Sequence, residues 1–285
     1  MTETLPDLAT ALFRLRLHPD YPLPKDKEWY GKAIRATFLR AIKQGYSAQT
    51  SAAMHTENQL RAYTVSSLNP DPRSDEAQET QEVTFQISVC QKESLLALLH
   101  STLPGGRLSP GSQLNLCGLH CQVAGWHLCD QANYANLYQS ALSRKPKTCE
   151  TIDLKFLSPV FFKDTKTRQY TPEVTPMRVF GSLVSKWQAF TSQPCPERFE
   201  EFLKIHVFMN AEDLAVIDLG AGSNTTVAAV GTARFISDQP KDPSWGFMRC
   251  LARFAGFAGV GKDTAIGFGQ INKSVYRLIN ECKGS

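Results

Sequence analysis

The chain has no run of 18 apolar residues, so no segment is long enough to cross a bilayer as a helix. Its first ten residues, MTETLPDLAT, carry acids and a proline where a secretory leader would carry an apolar core. The expectation is a cytoplasmic protein with no membrane partner. Charge of one sign is also scarce: 31 Lys and Arg against 27 Asp and Glu leave a formal charge of +4. Such a balance permits an anionic partner without demanding one, so the placement of the basic residues matters more than their total. Cysteine amounts to 8 of 285 residues, which excludes a small disulfide scaffold and suggests free thiols in a reducing compartment.

One cysteine cluster invites a metal reading: Cys117, His120, Cys121, His127 and Cys129. Zinc needs four such side chains around one point. On one straight strand, at ~3.3 Å per residue, Cys117 and Cys129 would lie roughly 40 Å apart. Only a tight hairpin near Gly125 would gather them, so the expectation is half-buried strand thiols with no metal and no cofactor.

What is present is one pattern, written twice. In the first half, Ala9–His18 alternates as a strand does. Lys27–Gln44 then has helical spacing, with Ile34, Phe38, Ala41 and Ile42 on one side and Lys32, Arg35, Arg40 and Lys43 mostly on the other. Leu60–Leu68 is β-rich, Asn69–Glu79 is a polar loop, Glu82–Cys90 alternates, Glu93–Leu103 is helical and Gln113–Cys129 is again a strand. A basic stretch, Ser143–Lys147, follows. The order then repeats: strand Thr151–Val160 and a helix lined by Val179, Leu183, Val184, Trp187 and Phe190. Next come strands Leu214–Leu219 and Thr226–Ile236 around a turn at Gly220–Asn224, helix Pro243–Ala258, and strand Ala265–Leu278. Two βαββαβ units predict an α+β chain of two tandem ferredoxin-like (RRM-like) domains, 1–140 and 150–285. Neither half carries the stacked-aromatic RRM signature.

The glycine-rich stretch Phe254–Gln270 (FAGFAGVGKDTAIGFGQ) is the most distinctive segment. Gly256 to Lys262 fits the start of a P-loop. The next residue, however, is Asp263, where Ser or Thr should hold a cation, and a helix precedes the loop where a strand should. The better reading is a backbone cradle for phosphate, with positive charge nearby from Arg249, Arg253 and Lys262.

Leu251–Gly269 resembles the glycine-rich hallmark of the CRISPR repeat-processing endoribonucleases, the Cas-six family of the RAMP superfamily. Phe156-Leu157-Ser158-Pro159, Pro176–Phe190 and His55–Leu68 are similar to further segments of that family in the same order. The resemblance implies a metal-independent endoribonuclease acting on CRISPR repeat RNA (pre-crRNA). A ribose 2′-OH attacks the adjacent phosphate and the 5′-oxygen leaves, giving 2′,3′-cyclic phosphate and 5′-OH ends. Such a reaction needs proton transfer and positive charge on the phosphorane, and histidine, with its ordinary pKa of ~6.5, suits the proton transfer. Among six histidines, His55 matches the family position and Arg61 lies near a family lysine. The helix tyrosine of some members has no clean match: Tyr30, Tyr46 and Tyr63 lie nearby, so slow cutting is expected. The resemblance further implies other CRISPR effector subunits as partners. Candidate RNA contacts are Arg249, Arg253, Gly259, Gly261, Lys262, Gly267, Gly269, Lys163, Lys166 and Arg168, with Arg144, Lys145 and Lys147 beside them. A catalytically inert RNA-binding subunit of the same superfamily is the alternative.

Overall fold

The computed structural model describes residues 5–20, 29–55, 60–70, 82–145, 150–164, 167–211, 213–220, 227–272 and 276–278. The chain divides into two compact units: residues 1–133 with Ala265–Gly267, and residues 134–264 with 268–285.

The first unit runs β1 (Leu8–Leu17), α1 (Gly31–Gly45), α2 (Ala48–His55), β2 (Tyr63–Val65), β3 (Asn69–Pro70), β4 (Glu82–Val89), α3 (Lys92–Thr102), β5 (Gln113–Leu116) and β6 (Leu119–Ala132). The sheet order is β2-β4-β1-β6-β5, with β3 also on β4, and every pairing is antiparallel. Without the short additions β3 and β5, this is the 2-3-1-4 strand order of a ferredoxin-like sheet. Alternation along β1 sends Phe13, Leu15 and Leu17 inward. Phe13 faces Phe85 across the β1–β4 register and stacks on it at 4.9 Å. Ile34, Phe38, Ala41 and Ile42 of α1 and Leu95 and Leu98 of α3 complete this core.

The second unit begins with a helix, α4 (Tyr134–Ser143). It continues through β7 (Glu150–Val160), the hairpin β8 (Phe162–Lys163) and β9 (Tyr170–Thr171), α5 (Pro176–Phe190), α6 (Phe199–Ile205), β10 (Val207–Asn210), β11 (Leu214–Asp218), β12 (Val227–Ser237), α7 (Pro243–Ala258) and β13 (Tyr276–Leu278). Its sheet order, β10-β12-β7-β13, is again 2-3-1-4. Both long helices start on an N-cap followed by proline. Thr175 accepts from Arg178 N ahead of α5, and Asp242 accepts from Ser244 N ahead of α7. Between these helices, Trp187 of α5 packs edge-on to both Phe247 and Phe254 of α7.

The structure changes three sequence expectations. The hairpin that follows α3 turns at Cys117–Gly118, both with positive φ, and β6 continues through Gly125. Asn115 fixes that turn by accepting from Gly118 N at 2.7 Å. Second, residues 134–143 form a helix that the sequence reading left unassigned. Third, the expected strand Ala265–Leu278 is broken into a 3-10 turn at Thr264–Ile266, a single bridge at Ile271 and the short β13. Gly267 and Gly269 take positive φ, which a continuous strand does not accommodate.

Candidate active site

His55 is the last residue of α2. Ser47 caps that helix, accepting from Thr50 N at 3.1 Å, and Ser51 and Met54 bury against the neighbouring structure. Ser51 Oγ donates to Leu39 O of α1 at 2.9 Å, which fixes α2 on α1. His55 is thereby held at a helix end with its side chain exposed. Its connection to β2 resumes at Leu60, and Arg61 is partly buried with a Nε that meets no hydrogen-bond acceptor among the described residues.

Two residues on, Tyr63 is 0% exposed, its ring edge-on to Phe38. Arg35 of α1 donates its Nε to the Tyr63 hydroxyl at 3.1 Å. Burial raises the phenol's pKa above its ordinary value, while the charges of Arg35 and then Arg61 oppose that rise. The hydroxyl therefore stays protonated at neutral pH. Two guanidinium groups thus bear on one buried phenol, on the strand that follows His55. Lys32, Arg40 and Lys43 are exposed on α1. Arg40, Lys43 and Gln44 line a shallow cavity of about 360 Å³ with Leu39 and Ser51.

In the second unit, the glycine-rich loop is a packing device. Its amides already donate inside the protein: Val260 N to Gly269 O, Gly261 N to Ser182 Oγ, Lys262 N to Phe161 O and Gly269 N to Pro159 O. Gly259 N caps α7 by donating to Ala255 O. The expectation that Gly259, Gly261 and Gly269 cradle phosphate through these amides is therefore corrected. The glycines are there because backbone approaches closely. A Cβ at Gly261 would sit 2.5 Å from Phe161 O, and φ there is +75°. Two segments singled out in the sequence meet here: Gln270 N donates to Ser158 Oγ, and Leu157 N donates to Gln270 O. Gly267 belongs to the first unit, where a Cβ would collide with the Trp29 ring at 2.9 Å. Beside it, Trp29 Nε1 donates to Ile266 O at 2.8 Å.

A buried lysine orders the loop, and sequence reasoning missed it. Lys186 of α5 is 6% exposed and donates to Ala258 O at 2.8 Å, Gly259 O at 2.9 Å and Thr264 Oγ1 at 3.4 Å. The signal was legible: Lys186 falls on the apolar stripe of Val179 and Leu183 at helical spacing.

Arg249 is also corrected. It was expected on an RNA-facing surface, yet it is 3% exposed. Its guanidinium donates to Glu150 Oε2 at 2.7 Å, Ala141 O at 2.8 Å and Arg144 O at 3.0 Å. α4 covers the side of α7 that looked open in the sequence. Arg253, Lys262, Lys163, Arg168 and Lys145 are exposed, and Arg144 is partly so. Lys147 and Lys166 lie outside the described residues. Among the described residues no group of three or more His, Cys, Asp or Glu is placed to hold a metal ion, and no helix is long and apolar enough to cross a membrane.

Comparison with known proteins adds to this geometry. The sequence model of the family described as CRISPR-associated endoribonuclease Cas6 matches residues 154–271. No curated protein matches the chain. Among solved structures, a Cas6 product complex aligns with a TM-score of 0.67 at 19% identity, over 95% of this chain and 99% of that one. Cas6 of Thermus thermophilus aligns at 0.63 with 16% identity, over 94% and 98%. A Cas6-related protein of Pyrococcus furiosus aligns at 0.61 with 11% identity, over 96% and 100%. Likeness at these identities shows a shared fold of tandem ferredoxin-like domains.

Proposed function

We propose that this chain, which shares the Cas6 fold and carries the family's signature in its second half, is an endoribonuclease that cuts CRISPR repeat RNA. The observation that carries this reading is the first unit's arrangement: an exposed histidine at the end of α2, followed by Arg61 and the Arg35–Tyr63 pair. His55 transfers the proton as the 2′-oxygen bonds to phosphorus and the bond to the 5′-oxygen breaks. Arg61 offers guanidinium N–H groups to the charge that builds on the phosphorane oxygens. The nucleophile is internal to the RNA, so no metal-bound water is needed, and the ends are a 2′,3′-cyclic phosphate and a 5′-OH. Exposed Lys163, Arg168, Lys262 and Arg253 supply phosphate contacts in the second unit. The cut RNA passes in the cytoplasm to other CRISPR effector subunits.

One observation favours the second reading, an inert RNA-binding subunit. Tyr63 is the tyrosine nearest to Arg61 in sequence, and its hydroxyl is buried against Arg35. Tyr63 therefore does not present a free hydroxyl for an acid–base pair with His55. Single-turnover cleavage of a repeat RNA by wild type and His55→Ala, with and without EDTA, separates the two. The expected result is EDTA-insensitive cutting, and a loss of ~10²–10⁴-fold in His55→Ala with repeat-RNA affinity nearly kept. A 2′-deoxy substitution at the scissile nucleotide should stop cutting. Activity that vanishes in EDTA, or a His55→Ala protein that cuts at the normal rate, sinks the mechanism and leaves the RNA-holding role.

A further inference from the structure

The proposed chemistry leaves one cavity of the first unit unused. It lies on the seam between α1 and α2, has a volume of about 360 Å³, and is lined by Leu39, Arg40, Lys43, Gln44 and Ser51. Leu39 and Ser51 are buried, whereas Arg40 and Lys43 are exposed. Residues three apart are neighbours on a helix, so the two cations stand side by side. Arg107 donates to Gln44 Oε1 at 3.3 Å and brings a second guanidinium to the rim. From Gly31 to His55 the chain carries Lys32, Arg35, Arg40 and Lys43 and no Asp or Glu. That stretch contributes +4, as much as the formal charge of the whole chain. Glu93 of α3 does approach α2, accepting from Thr50 Oγ1 at 3.1 Å. Thr50, however, points about 100° around the helix from Ser51 and is not part of the lining.

The seam also has a direction. Ser47 N donates to Ile42 O and Ser51 Oγ to Leu39 O, so α2 runs back along α1. One further turn of α2, about 5.4 Å, carries the chain from Ser51 to His55, toward the turn of α1 that holds Arg35. We infer that the cavity at Arg40 and Lys43 binds a phosphate of the same RNA strand that His55 cuts, near the scissile one. The strand is thereby held along the α1–α2 seam. The inference rests on the nuclease reading above. A guanidinium fork beside an ammonium matches the paired oxygens of a phosphate better than a diffuse anion. The lining has no aromatic ring on which a base could stack. It therefore suits a phosphate presented by a longer chain, with ribose and base outside, over a nucleotide held whole. A phosphate fixed there restricts the neighbouring scissile linkage before any bond is made or broken.

The test is equilibrium binding of the full chain to a labelled repeat RNA, 2′-deoxy at the scissile nucleotide so that no cutting intervenes. The double variant Arg40→Ala with Lys43→Ala should weaken binding about tenfold or more. It should also flatten the slope of log affinity against log salt by about 0.7, the value for one phosphate on a single strand. Both positions are exposed on a helix, where alanine is the best helix former, so the variant keeps its fold. A second arm replaces one backbone phosphate at a time by an uncharged methylphosphonate. One position near the scissile linkage should weaken binding to wild type about tenfold and leave the double variant unchanged, because one contact is not lost twice. Wild-type affinity and slope in the double variant would overturn the inference. So would a scan in which the losses add at every position, or in which the coupled phosphate lies in a distant part of the repeat. A third arm adds inorganic phosphate at fixed ionic strength. If it displaces RNA from wild type but not from the double variant, the cavity is a free-anion site and the RNA assignment falls. Failure here is distinguishable from failure of the nuclease reading, because binding is read in RNA that cannot be cut. A coupled phosphate beside a wild type that never cleaves the all-ribose RNA would sustain the phosphate site and sink the enzyme.

Discussion

The two units share one strand order and differ in what they bury. Among the described residues, the first unit buries no charged side chain: its buried polar groups are the Tyr63 phenol and serines and threonines such as Thr10, Ser51, Thr64 and Ser88. The second unit buries Glu150, Asp153, Lys186 and Arg249. Both of its buried cations do the same job. Arg249 binds carbonyls at the C-terminus of α4, and Lys186 binds those at the C-terminus of α7, where the helix dipole favours positive charge. A hydroxyl is cheap to bury once it finds a partner, whereas a charge is costly to strand. The first unit is thus set by its apolar core, and its cations are at least partly exposed. The second is set by charged cross-links that lock helix ends and the glycine-rich loop.

The sharpest way to break that contrast is Arg249→Met. It leaves Glu150 buried beneath α7 with Arg144 at the rim and the Trp245 indole N–H to face it, and it removes the donor from two carbonyls at the end of α4. Removing one partner of a buried pair costs about 3–5 kcal/mol. Hydrogen exchange of the whole chain, read segment by segment, should show faster opening across α4 and α7, with α1 and α3 unchanged. Adding Glu150→Gln should recover much of the loss, since it removes the stranded charge. A single variant as protected as wild type would mean the pair adds nothing and the contrast between units is cosmetic.

That pair also shows how far the sequence could be read. Most of the element types were legible because the apolar periodicity was strong: α7 has the predicted bounds, β4 and β7 differ from prediction by one residue at one end, and α3 by one residue at each end. His55, expected in a polar connection before the Leu60 strand, is instead the last residue of α2, an eight-residue helix with no apolar stripe to announce it. Arg249 was misplaced because the helical wheel of α7 shows only its own residues. Its open-looking side is covered by α4, whose short, mixed pattern went unassigned. α6 and β10 were missed for the same reason, being only 7 and 4 residues long. The glycines announced an unusual backbone, but sequence alone does not say whether free amides point at a ligand or bond within the chain. The partners Ser158, Pro159 and Phe161 lie about a hundred residues earlier, so the answer is tertiary.

A smaller break comes from Lys186→Met. The methionine keeps the stem's volume and removes three donated hydrogen bonds, two of them to the last carbonyls of α7. The expected cost is about 2–3 kcal/mol, because those carbonyls lose their buried donor. The loss should be local, with the amides of Val260, Gly261 and Gly269 exchanging faster while β1 and β4 keep their protection. Uniform destabilisation of the second unit would show that Lys186 supports the core generally and does not specifically order the loop. Lys186→Arg should restore part of the protection only if the loop can accept a wider head group.

The smallest effect belongs to the first unit, and it tests the other side of the comparison. Thr10 and Ser88 face each other across the β1–β4 register, and their hydroxyls bond at 2.9 Å with both residues buried. Ser88→Ala deletes one hydroxyl and leaves the other to seek a new partner. A net hydrogen bond between neutral groups contributes about 0.5–1.5 kcal/mol, and no charge is stranded. The double variant Thr10→Val with Ser88→Ala should therefore be close to wild type, since two apolar groups of similar shape replace a satisfied pair. Urea unfolding followed by a probe confined to the first unit would read both. If Ser88→Ala costs as much as Arg249→Met, then it is the sheet pairing at the centre of the unit, and not the kind of polar group buried, that decides how each half fails.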